Sequence, residues 1–377
     1  MKKKVGVLNF QYSDHNYGAV LQAVALEGIL HKVCEDVEHI NFIPDAKKNR
    51  TFRERIIVTL EFLRLKKILL KILKKKIIIK KKVQGSEVFE LFREKHLTRS
   101  KTYNSIYDLK NVASTYDVVI VGSDQVWRPR MYSDLSQVQV YFLSFVSEQT
   151  KKISYAASFG VDQWEYKKKD NVTHLVYEYL HKFDSVSVRE DTGVAICKNL
   201  FKVDATHVLD PTLLIGRSFF DNIIGDLQTR DTGLISYYKL DLNETFLSGV
   251  EHVSQMMKCK PCNIYYKSMS GKNYEYYPVV DWLKKIRDSS LIITDSFHCV
   301  CFSILFSKNF YCCLNEERGA SRLESLLSDL ELKDRLISEE DLGKLKSFED
   351  IDYSRVEGIL SKKRESSMDF LIKALEG

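Results

Sequence analysis

A chain of 377 residues is long for one hydrophobic core, so two domains are the starting expectation. Its 44% hydrophobic and 29% charged residues are the ordinary balance of a soluble globular protein. The net charge of +6 does not describe a general nucleic-acid-binding surface. Residues 47–82 alone hold fifteen Lys or Arg against Glu54 and Glu61, and the rest of the chain is net acidic.

Val5–Phe10 reads as a first strand, followed by a polar loop and a helix from about Gly18 to Val33. Val37–Ile43 reads as the second strand, so the chain opens strand-loop-helix-strand, the start of a parallel sheet. After the basic stretch come a helix near Glu87–His96 and strands at Tyr116–Val121 and Lys152–Ser158. A helix near Tyr166–Lys182 leads to a strand at Asp184–Val188. Val208-Leu209-Asp210-Pro211 reads as a boundary, because proline disfavours helix in the residue before it. A second alternation follows: strand Gly233–Tyr238, helix Glu244–Met257, strand Asn263–Tyr266 and helix Val279–Asp288. Leu291–Thr294 then runs into the Phe297 helix, with strand Phe310–Leu314, helix Ser321–Leu330 and a last helix at about Ser354–Leu375.

The start Met1-Lys2-Lys3-Lys4 is followed by too short an apolar run for a secretory signal. No apolar run approaches the roughly 18–20 residues that span a bilayer. The expected location is therefore the cytoplasm. The eight cysteines lack the spacing of a disulfide framework, and the one C-x-x-C, Cys259-Lys-Pro-Cys262, has no second ligand pair for zinc. Neither a metal nor a resident cofactor is expected.

Four segments carry candidate chemistry. In Asp295-Ser296-Phe297-His298, Asp295 and Ser296 are good helix caps before an apolar run. The free N–H groups of a helix start suit an anion, and His298 in the first turn can hand it a proton. A capping turn with a satisfied histidine is the plainer alternative. The loop Gln11–Ala19 is no glycine-rich phosphate loop. Its Asp14, Asn16 and the following Gln22 suit sugar hydroxyls and Tyr17 a sugar ring, or they make a simple turn. Gly122-Ser123-Asp124-Gln125-Val126-Trp127 suits a hydroxyl-binding pocket, or a core tryptophan beside a capping aspartate. Arg189, leaving its strand, suits a carboxylate or phosphate; residue types alone favour an ion pair with Glu190 or Asp191.

Taken in order, several stretches resemble the polysaccharide pyruvyl transferase family. They are Asn16–Gln22, Val121–Trp127, Ser154–Gly160, Ser187–Glu190, Leu209–Thr212 and Thr294–His298. The resemblance implies an α/β chain with two Rossmann-like domains facing a cleft, a GT-B-like layout. Residues 1–212 would form the acceptor side with a basic helical insertion at 47–82, 213–353 the donor side, and 354–377 a helix packing back on the first domain. It implies pyruvyl transfer from phosphoenolpyruvate, as co-substrate, to a sugar acceptor of a cell-surface polysaccharide precursor, free or lipid-linked. His298 would be catalytic, with Arg189, Ser296 and His298 binding phosphoenolpyruvate. Asp14, Asn16, Tyr17, Gln22, Asp124, Gln125 and Trp127 would bind the acceptor. One departure stands out: some members carry an arginine two residues before the histidine, where this chain has Ser296. Cys299 stands where similar sequences often have glycine. The rival readings are a nucleotide-sugar glycosyltransferase on the same architecture, and a non-catalytic, membrane-associated component of polysaccharide assembly.

The lysines of 47–82 alternate with apolar residues such as Ile56, Leu60, Leu69 and Ile72, a mix that suits an anionic membrane surface at the inner face of the plasma membrane, or a solvated insertion helix with a core-facing stripe. Deleting residues 47–82 is expected to release the protein from anionic liposomes in a flotation assay. Binding that persists refutes the assignment.

Overall fold

The computed structural model describes residues 2–44, 78–79, 81–112, 114–132, 134–226, 228, 232–269, 273–314 and 320–377. The basic insertion at 47–82 falls, apart from residues 78–79 and 81–82, outside the described residues. The strands of the first half of the chain are β1 (Lys4–Leu8), β2 (Asp36–His39), β3 (Val83–Gln84), β4 (Val118–Val121), β5 (Lys151–Ser154), β6 (Ser187–Val188) and β7 (Thr206–His207). Those of the second half are β8 (Leu234–Tyr238), β9 (Lys260–Asn263), β10 (Tyr266–Ser268), β11 (Tyr274–Tyr276), β12 (Leu291–Thr294), β13 (Phe310–Cys313) and β14 (Leu336–Ile337).

Two parallel sheets organise the chain. The first has the order β2-β1-β4-β5, with Val5 opposite Val37 on one side and Val118 on the other. Bridges Ile153↔Ser185 and Ala157↔Val188 extend it to the parallel pair β6-β7. The second has the order β14-β13-β12-β8-β9, again wholly parallel. Parallel neighbours need crossovers, and helices supply them: Tyr17–Leu30 between β1 and β2, Glu244–Met257 between β8 and β9, Phe297–Leu305 between β12 and β13. The central strands β4 (Val-Val-Ile-Val) and β12 (Leu-Ile-Ile-Thr) are buried along their whole length, as strands covered on both faces should be. These are two Rossmann-like α/β units in a GT-B-like layout.

The halves meet through two helices that are apolar nearly all round. Every residue of Phe297–Leu305 is buried, and so is every residue of Tyr17–Leu30 but Gly28. They belong to one continuous apolar core drawn from both halves. Tyr17 stacks flat on Trp282, with ring centroids 4.9 Å apart and planes within 4°. Its hydroxyl donates to the carbonyl of Tyr277 at 3.0 Å. The start of the first crossover helix is thereby tied to the second half.

Some strand placements differ from the sequence expectation. The strand expected at Asn263–Tyr266 is two strands, because the Asn263 side chain accepts from the amides of Tyr265 (2.8 Å) and Tyr266 (3.4 Å) and turns the chain there. Cys259 and Cys262 are free, and Cys262 lies in β9, an edge strand that tolerates Pro261. Ile79 and β3 dock on the second half: Ile79 donates to the Leu242 carbonyl at 2.6 Å, and β3 pairs with β11. The last helix, Tyr353–Glu376, lies against residues 209–213: Ser367 Oγ accepts from the Leu209 amide at 3.0 Å, and Arg364 Nε donates to the Leu213 carbonyl at 2.9 Å. Among the described residues no helix is long and apolar enough to cross a membrane.

Candidate active site

The carboxyl ends of both sheets converge on one buried cluster. β1 leads to Asn16–Gly18, β4 to Asp124, β6 to Arg189, β7 to Asp210, and β12 to Asp295–His298. Ligands of open α/β sheets bind at such strand ends.

Arg189 is the hub. Its Nη1 donates to Asp210 Oδ2 at 2.9 Å and its Nη2 to Asp124 Oδ1 at 2.9 Å. It is buried, and its Cζ lies 4.4 Å from the centre of the Phe297 ring. Glu190 and Asp191, the partners that residue types favoured, are not its ion pairs. Glu190 turns away to accept from Ser158 Oγ and the amides of Phe159 and Gly160, and burial pushes its carboxyl up. Asp210 caps the Pro211–Ile215 helix through Oδ1, which accepts from the Thr212 amide and hydroxyl. Its Oδ2 also accepts from Ser123 Oγ at 3.0 Å. Burial alone would raise both carboxyls. The charges of His298 and Arg189 outweigh it and hold Asp210 far below the usual carboxylate range, and Asp124 is lowered in the same way.

His298 stands over this pair. Its Nε2 lies 3.6 Å from Asp210 Oδ2 and 3.5 Å from Arg189 Nη1. Ser296 caps its helix by accepting from the Cys299 amide at 3.4 Å, and the Ser296 amide donates to Thr294 Oγ1 at 3.0 Å. Beside it Asp295 accepts from the buried Lys239 at 2.9 Å, which also pairs with Glu339 at 3.1 Å. Burial would lower the Lys239 ammonium, but the two carboxylates win and raise it. This ion cluster clamps the loop after β8 to the loop after β12.

The first loop frames the same point. Asn16 caps the Tyr17–Leu30 helix, accepting from the amides of Gly18 and Ala19. Gly18 is required by close approach: a Cβ there would lie 2.2 Å from Nδ1 of His298. Gln22 is buried, bonded to the Ala19 carbonyl and the Ser123 amide. It holds the two loops together. Tyr17 and Trp127 must be corrected as ring-stacking residues. Tyr17 is sealed against Trp282, while Trp127 stacks on Phe142 at 5.3 Å and donates to the Tyr141 carbonyl. Both rings are fully buried. Asp14 is half exposed and accepts from Arg93 at 2.6 Å. Gln125 packs over Gly160, whose φ of +67° and missing Cβ make room for it. Its buried Nε2 meets no acceptor among the described residues. Asp124 (φ +72°) and Ala156 (φ +52°) are non-glycine residues in the left-handed region beside the cluster, where strain is concentrated at functional sites.

Arg322 has no counterpart in the sequence reading. It sits on the Ala320–Asp329 helix, buried, with Nη1 3.7 Å from Asp124 Oδ1. Asp210 stood in a matching stretch but read as a boundary; an aspartate directly before a helix-starting proline was the available signal. Arg322 offered no local signal at all. Among the described residues no group of three or more His, Cys, Asp or Glu is placed to hold a metal ion.

The buried guanidinium–carboxylate hub and a histidine at a helix start suit proton transfer to a bound anionic ligand. A family model for polysaccharide pyruvyl transferase matches residues 16–317. The chain belongs to that family. No curated protein sequence matches this pyruvyl transferase family member. Among solved structures it is similar to the UDP-GlcNAc 2-epimerase of Methanocaldococcus jannaschii (10% identity over 100% of this chain and 99% of that one, TM-score 0.47). It is also similar to the same enzyme from Neisseria meningitidis (10%, 99% and 100%, 0.46) and to Arabidopsis thaliana UGT89C1 (10%, 98% and 95%, 0.49).

The contact between Gly18 and His298 can be tested by stability. Replacing a helical glycine by alanine ordinarily stabilises by about 0.5–1 kcal/mol. Overpacking costs about 1–3 kcal/mol and is the larger effect here. Gly18→Ala is expected to lower the unfolding free energy in urea; equal or greater stability contradicts the contact.

Proposed function

We propose that this member of the family transfers a pyruvyl group from phosphoenolpyruvate to a sugar of a cell-surface polysaccharide precursor, forming a cyclic ketal and releasing phosphate. The observation that carries the reading is His298 held at a helix start, 3.5 Å from the Arg189 guanidinium and against Gly18 of the opposite half. An anionic donor lies against Arg189 and the first amides of the Phe297–Leu305 helix, capped by Ser296. His298, protonated, gives its proton to the methylene carbon, which becomes a methyl group. Positive charge develops at the central carbon, and a sugar hydroxyl adds there. The imidazole, now neutral, takes the hydroxyl proton. Phosphate then leaves with the C–O bonding pair, and a second hydroxyl of the same sugar adds to close the ketal, releasing its proton.

On the acceptor side, Gln125 and Asp14 are the stronger candidates for sugar hydroxyls. The first has an uncommitted buried amide N–H, and the second is half exposed. Asn16, Gln22 and Asp124 shape the loops around them. His298→Ala is expected to reduce phosphate release by about 10²–10⁴-fold, the usual worth of a positioned general acid, with an unchanged circular dichroism spectrum. Near-normal turnover in that variant would refute the assignment of the acid.

A further inference from the structure

Two guanidiniums share one ring and one carboxylate. Phe297 opens the helix that carries His298, and its ring centre lies 4.4 Å from Arg189 Cζ and 5.6 Å from Arg322 Cζ. Asp124 Oδ1 accepts from Arg189 at 2.9 Å and stands 3.7 Å from Arg322 Nη1. Like charges this close, withdrawn from water, repel strongly. Burial and then Arg189 lower the Arg322 guanidinium to about 10, against the opposing pull of Asp124 and Glu190. A phosphate or carboxylate entering between the two cations would relieve that repulsion.

The fold delivers Arg322 deliberately to this point. Its helix, Ala320–Asp329, belongs to the second half of the chain but docks on the strand ends of the first. Ser325 Oγ accepts from the Asp191 amide at 3.2 Å, and Asp329 lies 3.7 Å from His207. Arg322 is thereby placed two helical positions inside a helix anchored directly beside Arg189. Arg189 is already committed through Nη1 and Nη2 to Asp210 and Asp124, while its buried Nε meets no acceptor among the described residues. Ser296, at the cap of the neighbouring helix, brings no charge of its own.

We infer that Arg322 is the second cation of the donor site and binds an oxyanion of phosphoenolpyruvate beside Arg189. The inference rests on the pyruvyl-transfer reading for the identity of the donor, and on the geometry alone for the anion site. It assigns the two cations to different halves of the chain, so a bound donor would hold the halves together.

The test is calorimetric titration of phosphoenolpyruvate, inorganic phosphate and pyruvate, separately, onto the full chain and onto Arg322→Gln and Arg322→Lys, followed by steady-state phosphate release. Losing a charged hydrogen-bonding partner is expected to weaken phosphoenolpyruvate binding roughly ten- to a hundredfold in Arg322→Gln. The KM for phosphoenolpyruvate should rise in parallel, with the KM for the acceptor unmoved, and Arg322→Lys should recover most of the loss. A matching loss for inorganic phosphate assigns the contact to the phosphoryl group; a loss for pyruvate assigns it to the carboxylate. Arg322→Met replaces the glutamine variant if that one fails to fold. Unchanged phosphoenolpyruvate affinity in a folded neutral variant overturns the inference and leaves the pyruvyl-transfer reading standing. A full chain that binds phosphate through Arg322 but not phosphoenolpyruvate supports the anion site and overturns that reading. A full chain that binds none of the three overturns both.

Discussion

A guanidinium taken out of water is tolerable only if its charge is answered nearby, and Arg189 is answered twice, by Asp124 and Asp210 at 2.9 Å each. Those carboxylates sit after different strands of the first sheet, so the pairing fixes the loops after β4, β6 and β7 relative to one another. Asp210 extends the constraint by capping the Pro211–Ile215 helix and bonding Ser123. His298 then rests against the same Asp210 from the second half. Removing one partner of such a buried pair typically costs about 3–5 kcal/mol, because the other charge is stranded. The cluster is therefore structural and chemical at once: the contacts that hold the arginine also set the distance between it and the histidine.

The apolar contacts around it serve the same end. Tyr17 stacked on Trp282 pins the first residue of the Tyr17–Leu30 helix to the second half, one position before Gly18. Gly18 is the point of closest approach to His298. On the other side, the Lys239–Asp295–Glu339 cluster holds the residue just ahead of the Ser296 cap. The histidine is thus flanked by the Gly18 backbone, which the Tyr17 stack anchors, and by the salt-bridged loop that carries Asp295. This kind of support keeps a reacting group within a fraction of an ångström of a productive position.

Much of this was legible in the sequence, and the limits have physical causes. Strand–helix alternation exposed both sheets, because buried parallel strands such as Val118–Val121 read as unbroken apolar runs. His298 was readable because a capping serine and an apolar helix surround it. Arg189 was readable as a strand-end cation, but its partners were not: Asp124 and Asp210 are 65 and 21 residues away. Tyr17 and Trp127 were misjudged because an aromatic residue near a strand end carries no mark of which way it faces. Arg322 was invisible because nothing within the Ala320–Asp329 helix distinguishes it; only the docking of that helix on the Asp191 turn gives it a role. The short β3 escaped notice because two residues are too few for a period, and its pairing with β11 is set by distant chain.

The role proposed for the cluster at the meeting of the two sheets is to make a pyruvyl ketal. The most direct measurement is mass spectrometry of the purified full chain incubated with phosphoenolpyruvate and a panel of aryl or lipid-linked galactosides, glucosides and mannosaminides. A pyruvylated product is expected on at least one acceptor, with phosphate released in equal amount and neither product formed when phosphoenolpyruvate is withheld. Sugar transfer from a UDP-sugar in the same panel, with no pyruvylated product on any acceptor, would contradict it.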